Sequence, residues 1–253
     1  MSSLWFEPEW PSPPGVRVLS TLRGSASDGG SSKAPYASFN LGGHVGDVPT
    51  AVADNRRHLR SAAGLPSEPS WLAQVHGIAV AKLDGPGGLS PADAAIAHRP
   101  GTVCAILTAD CLPVVFSTDS GEAVAAAHAG WRGLAAGVLR NTVQAFGTPP
   151  ERLLAWLGPA IGPTHFEVGR EVLEAFKAID PDAGEAFHPN ARGRFMADLE
   201  RLARRQLVNL GVSRIYGGGD CTYSRPDRYF SHRRDGVTGR QATLIWRENA
   251  QKR

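Results

Sequence analysis

Apolar positions along this chain fall into short runs separated by Gly, Pro and polar turns. Residues 16–22, 103–108, 113–117, 122–127 and 153–157 each read as a strand, because short apolar runs bounded by turn residues fit a sheet better than a helix. Residues 71–75 and 78–83 predict two more strands on either side of His76-Gly77. Residues 214–216 and 242–246 close the chain as strands.

Helical spacing appears elsewhere. Residues 50–63 place Asp54, Arg56 and Arg57 on one side, with Gly64 where a terminating glycine belongs. Residues 133–146, 169–179 and 198–210 read as further helices. The last repeats Leu199, Leu202, Ala203, Leu207 and Leu210 at helical intervals. The Gly/Ser stretch 24–32 reads as a mobile loop. No Pro-rich linker divides the chain and no repeat of 20–50 residues recurs. The expectation is one α+β domain over residues 1–253, with mixed β-sheets and flanking helices.

Composition narrows the class. The chain has 253 residues, 42% hydrophobic and 20% charged, which suits a globular fold. Its apolar runs are far shorter than the ~20 residues of a membrane span, so no membrane partner is expected. The first ten residues carry Glu7 and Glu9 and lack the basic start and apolar core of a secretory signal. Three cysteines cannot all pair, which fits a reducing, cytoplasmic setting.

The net charge of +3 hides an asymmetry. Residues 1–191 carry 13 Lys+Arg against 18 Asp+Glu, whereas residues 192–253 carry 14 against 6. Such a tail suggests nucleic acid, a phosphate-bearing substrate or a solvated face. Nucleic-acid binding needs basic residues interleaved with exposed aromatics. Phe230 sits near the turn signal Asp235-Gly236, which fits core at a hairpin equally well. The tail is therefore read as a solvated face, with Arg233 or Arg234 folding back toward an anionic substrate.

Three segments share one layout: His76, Cys111 and His128 each stand at a strand end beside small or turn-forming residues. Their spacings of 35 and 17 residues exclude a local zinc finger but allow a convergent site. Two imidazoles and a thiolate suit Zn²⁺. Three protein ligands leave a fourth position for a water whose pKa the metal lowers toward ~7. Asp110 is placed to carry a proton or to orient a ligand. The same atoms also fit a metal-free reading, with Cys111 as nucleophile and His128 or His76 as its base.

Three residues are candidates for substrate contact. Arg132 opens the helix after His128, a natural anion position. Asn40 lies in a Gly-flanked loop that lets a ligand approach closely. Arg23 precedes the Gly/Ser loop. His44, His58, His98, His165 and His188 have no partner motif and read as surface or structural.

Several motifs together resemble the YfiH family. They are Gln74-Val75-His76-Gly77, Thr108-Ala109-Asp110-Cys111-Leu112-Pro113 and Ala127-His128-Ala129-Gly130-Trp131-Arg132-Gly133, with residues 156–163, 166–169 and 230–235. The resemblance covers roughly residues 11–246. It implies a mixed α+β fold shared with a group of cysteine hydrolases and a metal held by His76, Cys111 and His128. It also implies phosphorolysis of purine nucleosides, including methylthioadenosine, and deamination of adenosine. The expected partners are a purine nucleoside and phosphate, and the expected state is a monomer.

Two alternatives stay open: a Cys–His thiol hydrolase or amidase acting on cell-wall precursors, and the laccase-like polyphenol oxidase of the family's older name. A four-copper oxidase needs roughly ten imidazoles. This chain has eight His and no His-x-His pair. A single copper in the His₂Cys set is conceivable, since Cu²⁺ outcompetes Zn²⁺ in raw affinity.

Overall fold

Two β-sheets lie face to face, each with helical cover on its outer side. A computed structural model describes residues 4–84 and 91–248; residues 1–3 of the N-terminal segment and 249–253 of the basic tail lie outside it. The first sheet has the order Trp5–Phe6, Val16–Thr21, Gln241–Arg247, Val103–Thr108 and Ser70–Trp71. The second runs Arg214–Gly217, Leu153–Leu157, Leu112–Thr118, Val124–Ala129, Ala94–Ala97 and Val80–Lys82. Most neighbours are antiparallel. The parallel pairs are Ser70–Trp71 with Val103–Thr108, Arg214–Gly217 with Leu153–Leu157, and Val80–Lys82 with Ala94–Ala97. Both main sheets are therefore mixed.

The strands read as continuous apolar runs because both of their faces are buried. Cys104, Ile106, Val115, Ala126 and Ile245 point into the layer between the sheets. Their neighbours Val103, Ala105 and Leu107 face the opposite way, with Leu59 of the helix Pro49–Ala62. On the second sheet, Val114, Phe116, Ala125 and Ala127 pack under Leu134, Leu139, Leu202 and Leu207. Cys104 is thus a core thiol, and burial pushes its pKa up.

Several expectations change. Residues 71–75 and 78–83 contribute only Ser70–Trp71 and Val80–Lys82 to sheets. The intervening chain is a loop, since a carboxylate takes the N–H groups that a ladder would use. The helix expected over 133–146 is two helices, Trp131–Ala136 and Val138–Ala145. They break at Gly137, whose φ of +103° a continuous helix cannot accommodate. The Gly/Ser stretch is tied down: Ser31 N donates to Asn55 Oδ1 and Ser32 Oγ to Asp47. The strand Ala94–Ala97 has no counterpart in the sequence reading. Among the described residues, no helix is long and apolar enough to cross a membrane.

The charge asymmetry of the sequence largely dissolves on folding. Arg201 pairs with Glu185, Arg205 with Asp180 and Asp182, Arg214 with Asp119, and Arg192 and Arg194 lie near Glu167. Arg234 is an internal brace, donating to the carbonyls of Thr222, Tyr223 and Tyr229. Arg233 donates to Glu167 O and lies over Phe166. The Arg234 guanidinium is consumed by these bonds, and that of Arg233 is anchored beside Glu167 and Phe166. Phe230 is fully buried, as its turn context suggested.

Candidate metal centre

Antiparallel pairing sets Leu112 opposite Ala129 and Pro113 opposite His128. Cys111, one residue before its strand, is therefore carried to the end of the strand that bears His128. The third segment arrives from the loop after Ser70–Trp71, where His76 adopts φ +59°. That left-handed conformation is uncommon outside glycine and needs local support. Asp93 supplies it. Its carboxylate accepts from the N–H groups of Val75 (3.1 Å), His76 (2.9 Å) and Gly77 (2.6 Å).

The same carboxylate accepts from His128 Nδ1 at 2.8 Å, and its backbone carbonyl accepts from His128 N at 2.7 Å. One buried aspartate thus fixes two of the three ligand segments. With Nδ1 committed to Asp93, His128 presents Nε2 to the site. The ligand atoms of His76, Cys111 and His128 all lie within 4.8 Å of one another.

Glycines make room. A Cβ on Gly130 would stand 3.0 Å from Cys111 Sγ and 3.5 Å from His128 Nε2. A Cβ on Gly133 would meet Gly77 O at 2.8 Å, so the helix Trp131–Ala136 can press against the His76 loop only through a glycine.

Electrostatics favour the charged pair in the metal-free site. Burial alone would push the Cys111 thiol up, but His128 and His76 outweigh it and hold it at about 6. Burial alone would lower His128; the Cys111 thiolate and Asp93 raise it to about 9. Asp93 is held down at about 2 by His128 and the N–H groups of Gly77 and Val75, against the opposing effect of burial. The donor set fits a divalent metal of intermediate softness. One thiolate and two imidazoles converge, an imidazole is backed by a carboxylate, and no Cβ fills the cradle.

The other expected site residues fall elsewhere. Asp110 adopts φ +92° and is mostly buried, but Thr222 Oγ1 donates to one carboxylate oxygen and Arg233 N to the other. Those bonds make it a clamp between segments rather than a carboxylate open to substrate. Asn40 is fully buried: its Oδ1 accepts from Gly42 N and Arg240 N, and its Nδ2 donates to Asp47. It braces a turn. Arg23 donates to the carbonyls of Ala37 and Pro226 and stacks on Phe230, so it ties loops together. Arg132 is exposed and lies 4.6 Å over its neighbour Trp131. It is the second residue of the six-residue helix Trp131–Ala136.

Two residues were missed. Asp93 was legible as an acid inside the apolar run Ala92 to Ala97, where a buried carboxylate must be paired. His44, read as surface or structural, is exposed yet feels the charge of His76 and His128.

Comparison with known proteins shows the family. Residues 23–248 match a family described as multi-copper polyphenol oxidoreductase laccase. The purine nucleoside phosphorylase YfiH of Escherichia coli (strain K12) is 54% identical over 240 residues, covering 94% of this chain and 97% of that one. The chain belongs to the YfiH family. Protein NMB0706 of Neisseria meningitidis superposes with a TM-score of 0.91 at 46% identity, covering 97% of this chain and 100% of that one. YlmD from Geobacillus stearothermophilus gives 0.90 at 31% identity, covering 98% of both. The mixed α+β fold is therefore that of YfiH proteins. The copper wording fits the site less well. Among the described residues, His76, Cys111 and His128 are the one group of three such donors that converges.

Proposed function

We propose that the protein is a metal-dependent purine nucleoside phosphorylase that also deaminates adenosine, with zinc held by His76, Cys111 and His128. The observation that carries this reading is the convergence of the three ligand atoms within 4.8 Å of one another, with His128 backed by the Asp93 carboxylate. A relative with more than half of its residues in common is named a purine nucleoside phosphorylase, which supports the substrate class. When bound, the metal supplies Lewis-acid stabilisation of developing negative charge.

The chain's own residues do the rest. Asp93 keeps His128 in the tautomer that offers Nε2 and holds the His76 loop in place. Gly130 leaves the ligand atoms open to a substrate. In phosphorolysis a phosphate oxygen bonds to C1′ as the C1′–N9 bond breaks. The electron pair leaves with the purine, which takes up a proton. Three free cysteines suit a reducing cytoplasmic setting.

One incubation tests this reading. Zinc-loaded protein given adenosine and phosphate should yield adenine and ribose-1-phosphate, with inosine from deamination. Loss of all three products on chelation supports the metal. Absence of all three from the zinc-loaded protein refutes the reading.

A second reading has its own observation. Without metal, Cys111 is a thiolate nucleophile, His128 is the base that has taken its proton, and the Asp93 carboxylate orients that imidazolium. A thiol hydrolase or amidase of this kind would be active metal-free and killed by alkylation of Cys111.

A further inference from the structure

Three cationic or potentially cationic side chains meet around the loop 42–44 near the metal centre, with no carboxylate at ion-pair distance among the described residues. They are His44, Arg56 and Arg240. Among the described residues none of them has an ion pair, although most arginines of the C-terminal quarter do. Arg56 is already spent: it donates from Nε and Nη2 to Leu41 O and stacks 4.3 Å over Trp71. Arg240 is not. Its Nη1 donates to the carbonyls of Thr238 (3.0 Å) and Gly239 (2.9 Å), which fixes the guanidinium plane. Its Nε and Nη2 donate to no group among the described residues.

The surrounding chain is shaped to hold this arginine. Asn40 Oδ1 accepts from both Gly42 N (2.9 Å) and Arg240 N (2.8 Å), joining the loop that ends in His44 to the residue before the strand Gln241–Arg247. A Cβ on Gly42 would come within 2.7 Å of Arg240 Cγ, so the glycine lets the arginine stem lie across the loop. The strand register pairs Gln241 with Thr108, which brings Arg240 to the strand end beside the segment Ala109-Asp110-Cys111, and the charges of Cys111 and Asp110 act on it. His44 is lowered first by burial, then by the positive charge of Arg240, Arg56, His128 and His76. A like-charged group of this kind raises the energy of the empty protein, and an anion between its members removes that cost.

We propose that Arg240 and His44 form the oxyanion subsite of the centre, binding a phosphoryl group. An arginine with two adjacent unpaired donors matches two oxygens of a phosphate in fork geometry, and an imidazole adds a third contact. The subsite deepens the phosphorylase reading and rests on it for the identity of the phosphate as co-substrate. It also takes over the role expected of Arg132. The phosphoryl group has two conceivable sources, inorganic phosphate or a nucleotide.

The test uses zinc-loaded full-length protein and the variants Arg240→Gln, Arg240→Lys, His44→Gln and Arg132→Gln. Two quantities are read: the KM for phosphate at saturating nucleoside, and direct calorimetric binding of inorganic phosphate or of a nucleoside 5′-monophosphate. Loss of one charge-assisted contact corresponds to roughly 10- to 100-fold. Arg240→Gln should weaken phosphate by that much in both readouts, with the KM for nucleoside and the metal content unchanged. Arg240→Lys should restore part of the loss. His44→Gln, a change at an exposed side chain, should weaken phosphate roughly 3- to 10-fold, and decides the matter if Arg240→Gln does not fold.

Retained phosphate affinity in metal-loaded Arg240→Gln and His44→Gln would overturn the subsite. So would a phosphate defect in Arg132→Gln alone, or no phosphoryl binding at all. Turnover with unchanged phosphate KM in the variants removes the subsite and leaves the phosphorylase reading standing. Arg240-dependent phosphate binding without turnover does the reverse. Arg240-dependent binding of the monophosphate but not of inorganic phosphate keeps the subsite and names a nucleotide as its ligand.

Discussion

Replacing Asp93 with asparagine tests the architecture of the centre most directly. The carboxylate receives four donors, two on each oxygen: His76 N and His128 Nδ1 on Oδ1, Val75 N and Gly77 N on Oδ2. An asparagine of the same shape keeps one accepting oxygen. Its NH₂ must face the other two donors, whichever way the amide turns. Two buried donors lose their partners at about 1–3 kcal/mol each, so the expected destabilisation is about 4 kcal/mol. For a chain of this size that lowers Tm by roughly 8–16 °C.

Metal affinity should fall by a further, separable amount. Loss of a carboxylate behind a histidine ligand typically costs about 10- to 100-fold. Thermal unfolding of the metal-free protein reads the first effect, and competition with a chelator of known affinity reads the second. The pH dependence has a definite sign. Asp93 is held at about 2 in the folded protein, against 3.8 ordinarily. Its charged form therefore contributes about 2 kcal/mol above pH ~4, and this is lost as pH falls toward 2. The stability gap between wild type and Asp93→Asn should narrow over that range. An Asn variant with wild-type Tm and wild-type metal affinity would refute the claim that Asp93 organises the site.

Three other outcomes are expected. Metal binding at pH 7.5 should release about one proton, because Cys111 (about 6) is already a thiolate while His128 (about 9) must lose its proton. Calorimetry in buffers of different ionisation enthalpy counts it, and zero protons would contradict the ion-pair description. Gly130→Ala should weaken metal binding with little change in metal-free Tm. Its backbone (φ −64°, ψ 155°) suits alanine, while the new methyl would crowd Cys111 and His76. Asp110→Asn should lower stability by about 1–3 kcal/mol and leave the pH–rate profile in place, since its carboxylate clamps Thr222 and Arg233. A lost limb in that profile would restore Asp110 as a proton carrier.

Much of the fold was legible because its strands are buried on both faces and so spell themselves as apolar runs. Leu153–Leu157 and Val103–Thr108 match expectation to the residue. Ala94–Ala97 was illegible because three alanines around a single isoleucine carry little strand signal. The helix pair split by Gly137 was read as one, since the apolar spacing continues across the break. His76, Cys111 and His128 were legible as chemistry because each interrupts an apolar context with a metal-ligating group. Their auxiliary residues were not. Asn40, Arg23 and Asp110 look like ligand contacts in one dimension, but their polar atoms are consumed by backbone groups brought near by folding.

The amino-acid sequence by itself determined which segments are buried, which three side chains can hold a metal, and that the protein resembles the YfiH family. Tertiary structure decided who meets whom. It turned a basic tail into a set of ion pairs with distant acids and made Asp93 the support of two ligand segments. It also left Arg240 beside the centre with no ion pair among the described residues. The reason is range. Burial and strand or helix periodicity are local consequences of residue type and spacing. Charge compensation and hydrogen-bond satisfaction depend on distances between segments far apart in the chain, and only the packed sheets set those distances.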